Sequence, residues 1–117
     1  MSQYNLTHVV KIDEVGKIID FTLRDVDGTV DLTNYTVTMN ISKGSTAVIS
    51  AAAVTKRNQV TNEGEAYHTW TAATIPDTAG TYKGELKLVY GSNVLYWPVD
   101  KNNERTYFTV IVQEALG

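Results

Sequence analysis

Apolar and polar residues alternate along most of this chain with a period of two. Ile19, Phe21 and Leu23 alternate with Asp20, Thr22 and Arg24, and Tyr35, Val37, Met39 and Ile41 alternate with Thr36, Thr38 and Asn40. That period places one face of a strand in a core and leaves the other in water. Strands are predicted over residues 7–12, 18–24, 35–42, 47–54, 66–72, 82–90, 94–97 and 106–112. Their spacing of roughly ten residues is that of an antiparallel sandwich or barrel. Asp25-Val26-Asp27-Gly28, Lys43-Gly44-Ser45 and Gly91-Ser92-Asn93 supply turns, and residues 55–64 and 98–105 read as polar loops. Ala51, Ala52 and Ala53 suit a helix, but the segment holding them is too short for one and reads as an edge strand. Val110, Ile111 and Val112 read as a buried final strand ending at a domain edge, so truncation into it should be damaging.

Composition narrows the class. The 117 residues are 43% hydrophobic and 20% charged, which suits one globular domain over residues 1–117 and is too apolar for disorder. The formal net charge of −3, without a basic stripe, argues against a nucleic-acid partner. No cysteine is present, so disulfides, thiol catalysis and cysteine-held metal are excluded. The start, Met-Ser-Gln-Tyr-Asn-Leu, lacks a basic segment followed by an apolar one, and no apolar run reaches the length of a membrane span. These features predict assembly in a cytoplasm with no membrane partner.

Asp77-Thr78-Ala79-Gly80-Thr81-Tyr82-Lys83-Gly84 resembles the corner before strand F of immunoglobulin-like domains, where a Tyr hydroxyl turns back onto upstream backbone. Antibody domains place a Cys two residues after that Tyr; here the position is Gly84. The expected fold is therefore an all-β, immunoglobulin-like antiparallel β-sandwich of about seven to nine strands without a disulfide. Trp70 and Trp97 are the candidates for the middle of the core.

Candidate chemistry is sparse. Asp25, Asp27 and Asp31 invite a calcium reading, but Gly28 comes too early for a calcium loop, and Asp-Gly is itself a preferred hairpin turn. His8 and His68 lie in no nucleophile or metal motif, and His68 reads as a core-edge residue. Asp13 with Glu14, or Glu63 with Glu65, are the carboxylate pairs that glycoside hydrolysis would need, and acidic pairs in turns are usually just solvated. The reading assigns no catalytic residue, metal or cofactor. Among the aromatic residues, Tyr67, Tyr96 and Trp97 are the candidates for contact with a partner or a glycan.

The run Phe21-Thr22-Leu23-Arg24-Asp25-Val26-Asp27-Gly28-Thr29, followed by Asp31-Leu32-Thr33-Asn34-Tyr35-Thr36-Val37, resembles the N-terminal immunoglobulin-like domain of phage baseplate upper proteins. The corner residues Asp77, Thr78, Gly80 and Tyr82, and Pro98 ahead of the final strand, extend the resemblance over roughly residues 10–114. Asn34 stands where that family often has Gly, a departure that a positive-φ turn tolerates. The resemblance implies a non-enzymatic structural or adaptor module of a tailed phage or prophage particle, in a baseplate, tail fibre or neck. It also implies a virion location after assembly in the bacterial cytoplasm, with other virion proteins and further copies of the chain as partners. Docking through an exposed strand edge would then involve Val9 on the first strand or Ile49 on the alanine-rich one. The alternative is a carbohydrate-binding sandwich module, which requires Tyr96 or Trp97 exposed beside polar loop residues.

Overall fold

A computed structural model describes residues 6–25, 27–99, 102 and 104–114. Val26 and the side chain of Asp25 in the acidic turn lie outside the described residues, as do residues 1–5 and the tail residues 115–117. In chain order the strands are β1 (Thr7–Lys11), β2 (Ile18–Thr22), β3 (Arg24–Asp25), β4 (Gly28–Thr29), β5 (Thr36–Lys43) and β6 (Thr46–Ala53). They continue with β7 (Thr55–Lys56), β8 (Glu65–Thr69), β9 (Gly80–Tyr90), β10 (Asn93–Trp97) and β11 (Phe108–Gln113). The described residues contain no helix.

Two sheets form a β-sandwich. The larger runs β1-β11-β9-β5-β6, and β10 also pairs with β9. Because β9 is long, β11 takes its first half (Phe108 opposite Gly84) and β10 its second (Trp97 opposite Leu86). The smaller sheet runs β2-β8-β7, and β3 and β4 form a separate hairpin. The expected strand at residues 18–24 is thus split at Leu23. Leu23 remains buried, but its amide bonds to Gly64 and its carbonyl to Val30, and the chain leaves the sheet for the hairpin. One pairing departs from the antiparallel expectation: β1 lies parallel to β11, Val9 opposite Ile111. The final strand sits between β1 and β9, inside the larger sheet rather than at its edge.

The alternation in sequence becomes the core. Ile19 and Phe21 of β2, Val37, Met39 and Ile41 of β5, and Leu86 and Leu88 of β9 all face inward and are buried. Phe, Leu and Ile side chains each contribute about 1.5–3 kcal/mol on full burial. The Tyr82 hydroxyl donates to the Thr78 carbonyl at 2.5 Å, so the corner has the tyrosine geometry its sequence suggested. A Cβ on Gly84 would lie 2.2 Å from the Phe108 ring. Phe108 packs on Phe21 with centroids 5.2 Å apart, and Trp97 meets Phe21 edge-on at 5.9 Å. Edge-on and tilted rings therefore join β2 to β10 and β11 across the sandwich, over the Gly84 position where antibody domains place a disulfide.

Candidate docking surfaces

The sandwich has five lateral edges, at β1, β6 and β10 in the larger sheet and at β2 and β7 in the smaller, and they differ in how their backbone groups are used. An unpaired edge exposes N–H and C=O groups that template pairing with another strand, so natural sheets usually blunt their edges.

At β6, the register against β5 slips twice, between Met39 and Ile41 and between Ile41 and Ser42. Both slips place extra residues in β6, and Ala51 adopts a positive φ of 56° while its amide turns to Asn40 Oδ1 at 2.8 Å. Such bulges twist an edge away from a flat partner. Ile49 lies on this edge but is half-buried against the core. At the opposite end of the smaller sheet, β7 is only two residues long.

At β1, the bonds Thr109 N–H to Leu6 O and Ile12 N–H to Gln113 O fix the even-numbered residues toward β11, so Thr7, Val9 and Lys11 point their backbone outward. The chain caps half of those groups itself. Lys17 Nζ donates to Val9 O at 2.7 Å, the Lys11 amide donates to Glu14 Oε1 at 2.8 Å, and Lys11 O accepts the Glu14 amide at 3.0 Å. The Lys11 amide, with the nearby Lys17 and Lys11 charges, holds the Glu14 carboxyl below its ordinary value.

β2 differs from β1, β6 and β7. Trp70 N–H bonds to Lys17 O and Leu23 N–H to Gly64 O, which turns the odd-numbered residues of β2 toward β8. The backbone groups of Ile18, Asp20 and Thr22 therefore point away from the sheet, and none of them bonds to a described residue. The strand is five residues long, in unbroken register with β8, and Ile18 is 43% and nearby Val15 58% exposed. Its outer face is ionic: the Arg57 guanidinium bonds to Asp20, lies 3.8 Å from Glu65 and covers the Tyr67 ring at 4.5 Å. The Asp20 hydrogen bond holds Arg57 above its usual pKa.

The aromatic candidates are distributed otherwise than the sequence suggested. Trp97 is a core residue, 4% exposed, with Nε1 donating to Arg24 O at 3.2 Å; it is not a surface contact. Its partner on β9 is Leu86, so the short strand turns Trp97 inward and Tyr96 outward. The Arg105 guanidinium stacks 3.9 Å from the Tyr96 centroid while gripping both oxygens of buried Glu85, which raises the Arg105 pKa further. Tyr67 and Tyr96 therefore each carry an arginine over one ring face. An apolar cleft of about 260 Å³ opens between β10 and the β3–β4 hairpin, lined by Leu23, Val30, Leu88, Leu95, Trp97 and Val99.

The titratable candidates do not converge. His68 is buried, with Nδ1 donating to Ala53 O at 2.6 Å and Nε2 accepting from the Thr74 hydroxyl at 3.0 Å, so neither ring nitrogen is free for catalysis. His8 Nε2 accepts from Trp70 Nε1 at 3.0 Å. Burial lowers the pKa of both histidines, and Lys17 adds to the effect at His8. Glu63 accepts from the Thr29 hydroxyl at 2.5 Å, Glu65 faces Arg57, and Glu14 caps Lys11, so neither carboxylate pair forms a dyad. Asp31 accepts from the amide and hydroxyl of Thr33 at 3.0 and 2.6 Å, and those bonds lower its pKa. Among the described residues no group of three or more His, Asp or Glu side chains is placed to hold a metal, and no helix is long and apolar enough to cross a membrane.

The periodic pattern identified β2 as a half-buried strand but not as an unprotected edge. The caps on β1 also had no sequence signal, because they depend on which strands become neighbours. No protein-family model matches the chain, and no curated protein matches it.

Proposed function

We propose that this protein is a non-catalytic structural module of a phage or prophage particle that acts by docking to other proteins of the particle. The observation that carries docking is the free edge of β2: five residues in regular register, with the backbone of Ile18, Asp20 and Thr22 unpaired beside an exposed Ile18. An open edge of this kind accepts an added strand through main-chain hydrogen bonds. The resemblance of residues 21–37 and of the Asp77–Tyr82 corner to the baseplate domain supplies the setting. Assembly in a reducing cytoplasm suits a sandwich joined by Phe21, Phe108 and Trp97 rather than by cysteines.

The carbohydrate alternative rests on Tyr96 or Trp97 as a free aromatic platform, and neither ring supplies one. Trp97 is inside the core and Arg105 covers one face of Tyr96.

The test is mass spectrometry of particles banded on a density gradient from a strain carrying the gene. The proposal expects peptides of this chain at a fixed ratio to a tail protein. Recovery of the chain only in the unbanded soluble fraction would contradict it.

A further inference from the structure

We infer that the partner of the β2 edge is a second copy of this chain, joined β2 to β2 about a two-fold axis through Asp20. The inference rests on the docking reading above and specifies its occupant.

The outward groups of β2 determine the register. Antiparallel pairing centred on Asp20 sets Ile18 opposite Thr22 of the other copy, Asp20 opposite Asp20, and Thr22 opposite Ile18. Each outward residue then exchanges both its N–H and its C=O, and every free group of the strand is satisfied. Shifting the axis by one residue leaves a pair of groups on each strand open. The result is one continuous sheet, β7-β8-β2 running into β2-β8-β7 of the second copy. A two-fold interface uses the same patch twice, which a strand pairing with itself provides.

Charge argues for the same arrangement. Two carboxylates facing each other at the axis would repel. Here each Asp20 arrives already bound by Arg57, whose guanidinium is held in place by the Tyr67 ring beneath it and by Glu65 beside it. The axis therefore carries alternating acids and guanidiniums, and Arg57 sits where it neutralises both copies of Asp20. Ile18, exposed in the monomer, is covered by Thr22 of the other strand.

β10 is also open on the side away from β9, but it carries Arg105 over Tyr96 and no acid–guanidinium pair at its centre to set a self-pairing register. The three remaining edges do not offer this pairing. β6 is bulged twice, β7 has two residues, and β1 has its Val9 carbonyl and both Lys11 groups occupied. Docking of further copies through Val9 or Ile49 is accordingly disfavoured.

Sedimentation of the purified full-length protein over a concentration series tests the inference, with circular dichroism checking that each variant folds. The wild type should dimerise. Ile18→Lys should weaken dimerisation at least about ten-fold, a difference of about 1.4 kcal/mol. Thr22→Pro removes a donor unused within the monomer, so it should weaken the dimer while leaving the fold intact. Arg57→Gln should weaken the dimer by exposing the acids to each other, and adding Asp20→Asn should restore it. Val60→Lys, at a residue 94% exposed on the loop between β7 and β8, should change nothing. A wild type that stays monomeric, an Ile18→Lys variant that dimerises as before, or an Arg57→Gln defect unrelieved by Asp20→Asn would overturn the inference. A chain found in particles yet monomeric would defeat self-pairing and leave the docking function standing. A dimer absent from particles would do the reverse.

Discussion

β1 and β2 are consecutive strands of five residues each, one at an edge of each sheet, and the chain treats them in opposite ways. The connection after β1 folds back on it, and Glu14 and Lys17 occupy half of its outward amide and carbonyl groups. The same Lys17 begins the approach to β2, where the outward groups of Ile18, Asp20 and Thr22 remain bare. β2 is thus left open where β1 is capped, β6 bulged and β7 shortened, and an open edge is a template for an added strand. On the proposed reading, docking would fall on the smaller sheet.

The strongest way to break this comparison is to remove the wall both edges share. Trp70 is fully buried, stacks on His8 of β1 at 5.8 Å and stands edge-on to His68 of β8 at 5.0 Å. Trp70→Ala should cost about 3–5 kcal/mol in denaturant unfolding and loosen both edges together. A loss below about 1 kcal/mol would mean that the edges do not share a core.

Tyr82→Phe acts at the corner, away from both edges. Losing the bond to Thr78 O should cost about 1 kcal/mol of stability and leave self-association unchanged. A change in the dimer constant would show that the corner and the β2 edge are coupled.

Acid should act next, through the histidines on either side of Trp70. Both have folded pKa values below the ordinary value of 6.5 because burial disfavours the charged ring. The unfolded chain therefore binds protons that the folded chain refuses. Stability is fully present above about pH 6.5 and declines as pH falls from there toward the folded values. His8→Gln together with His68→Gln should flatten that decline in thermal melts; an unchanged slope would place the acid sensitivity elsewhere.

The smallest effect is local to β1. Glu14→Ala removes the acceptor of the Lys11 amide, which should then exchange with solvent about ten-fold faster while global stability is nearly unchanged. Exchange at the wild-type rate would show that β1 is not capped as described.

Much of the fold was legible because a period of two is a local signal. The inward faces of β2, β5 and β9, the opposite sides taken by His68 and Tyr67, and the Tyr82 corner all followed from residue order. The parallel seating of β1 on β11 and the interior place of β11 did not, since neighbour choice is a long-range property. Trp97 was left open between core and contact surface because the alternation over residues 94–97 is too short to say which side faces the core; the structure puts it in the core. Edge positions for Val9 and Ile49 were readable, but not the cap on Val9 O or the bulges around Ile49, which depend on contacts with Lys17 and β5.

Amide-resolved hydrogen exchange along β2, at low and at high protein concentration, tests the central claim most directly. At low concentration Ile19 and Phe21, bonded to β8, should exchange slowly, and Ile18, Asp20 and Thr22 rapidly. At high concentration those three amides should become protected together. Fast exchange at all three regardless of concentration would contradict the account, as would protection already present in the dilute monomer.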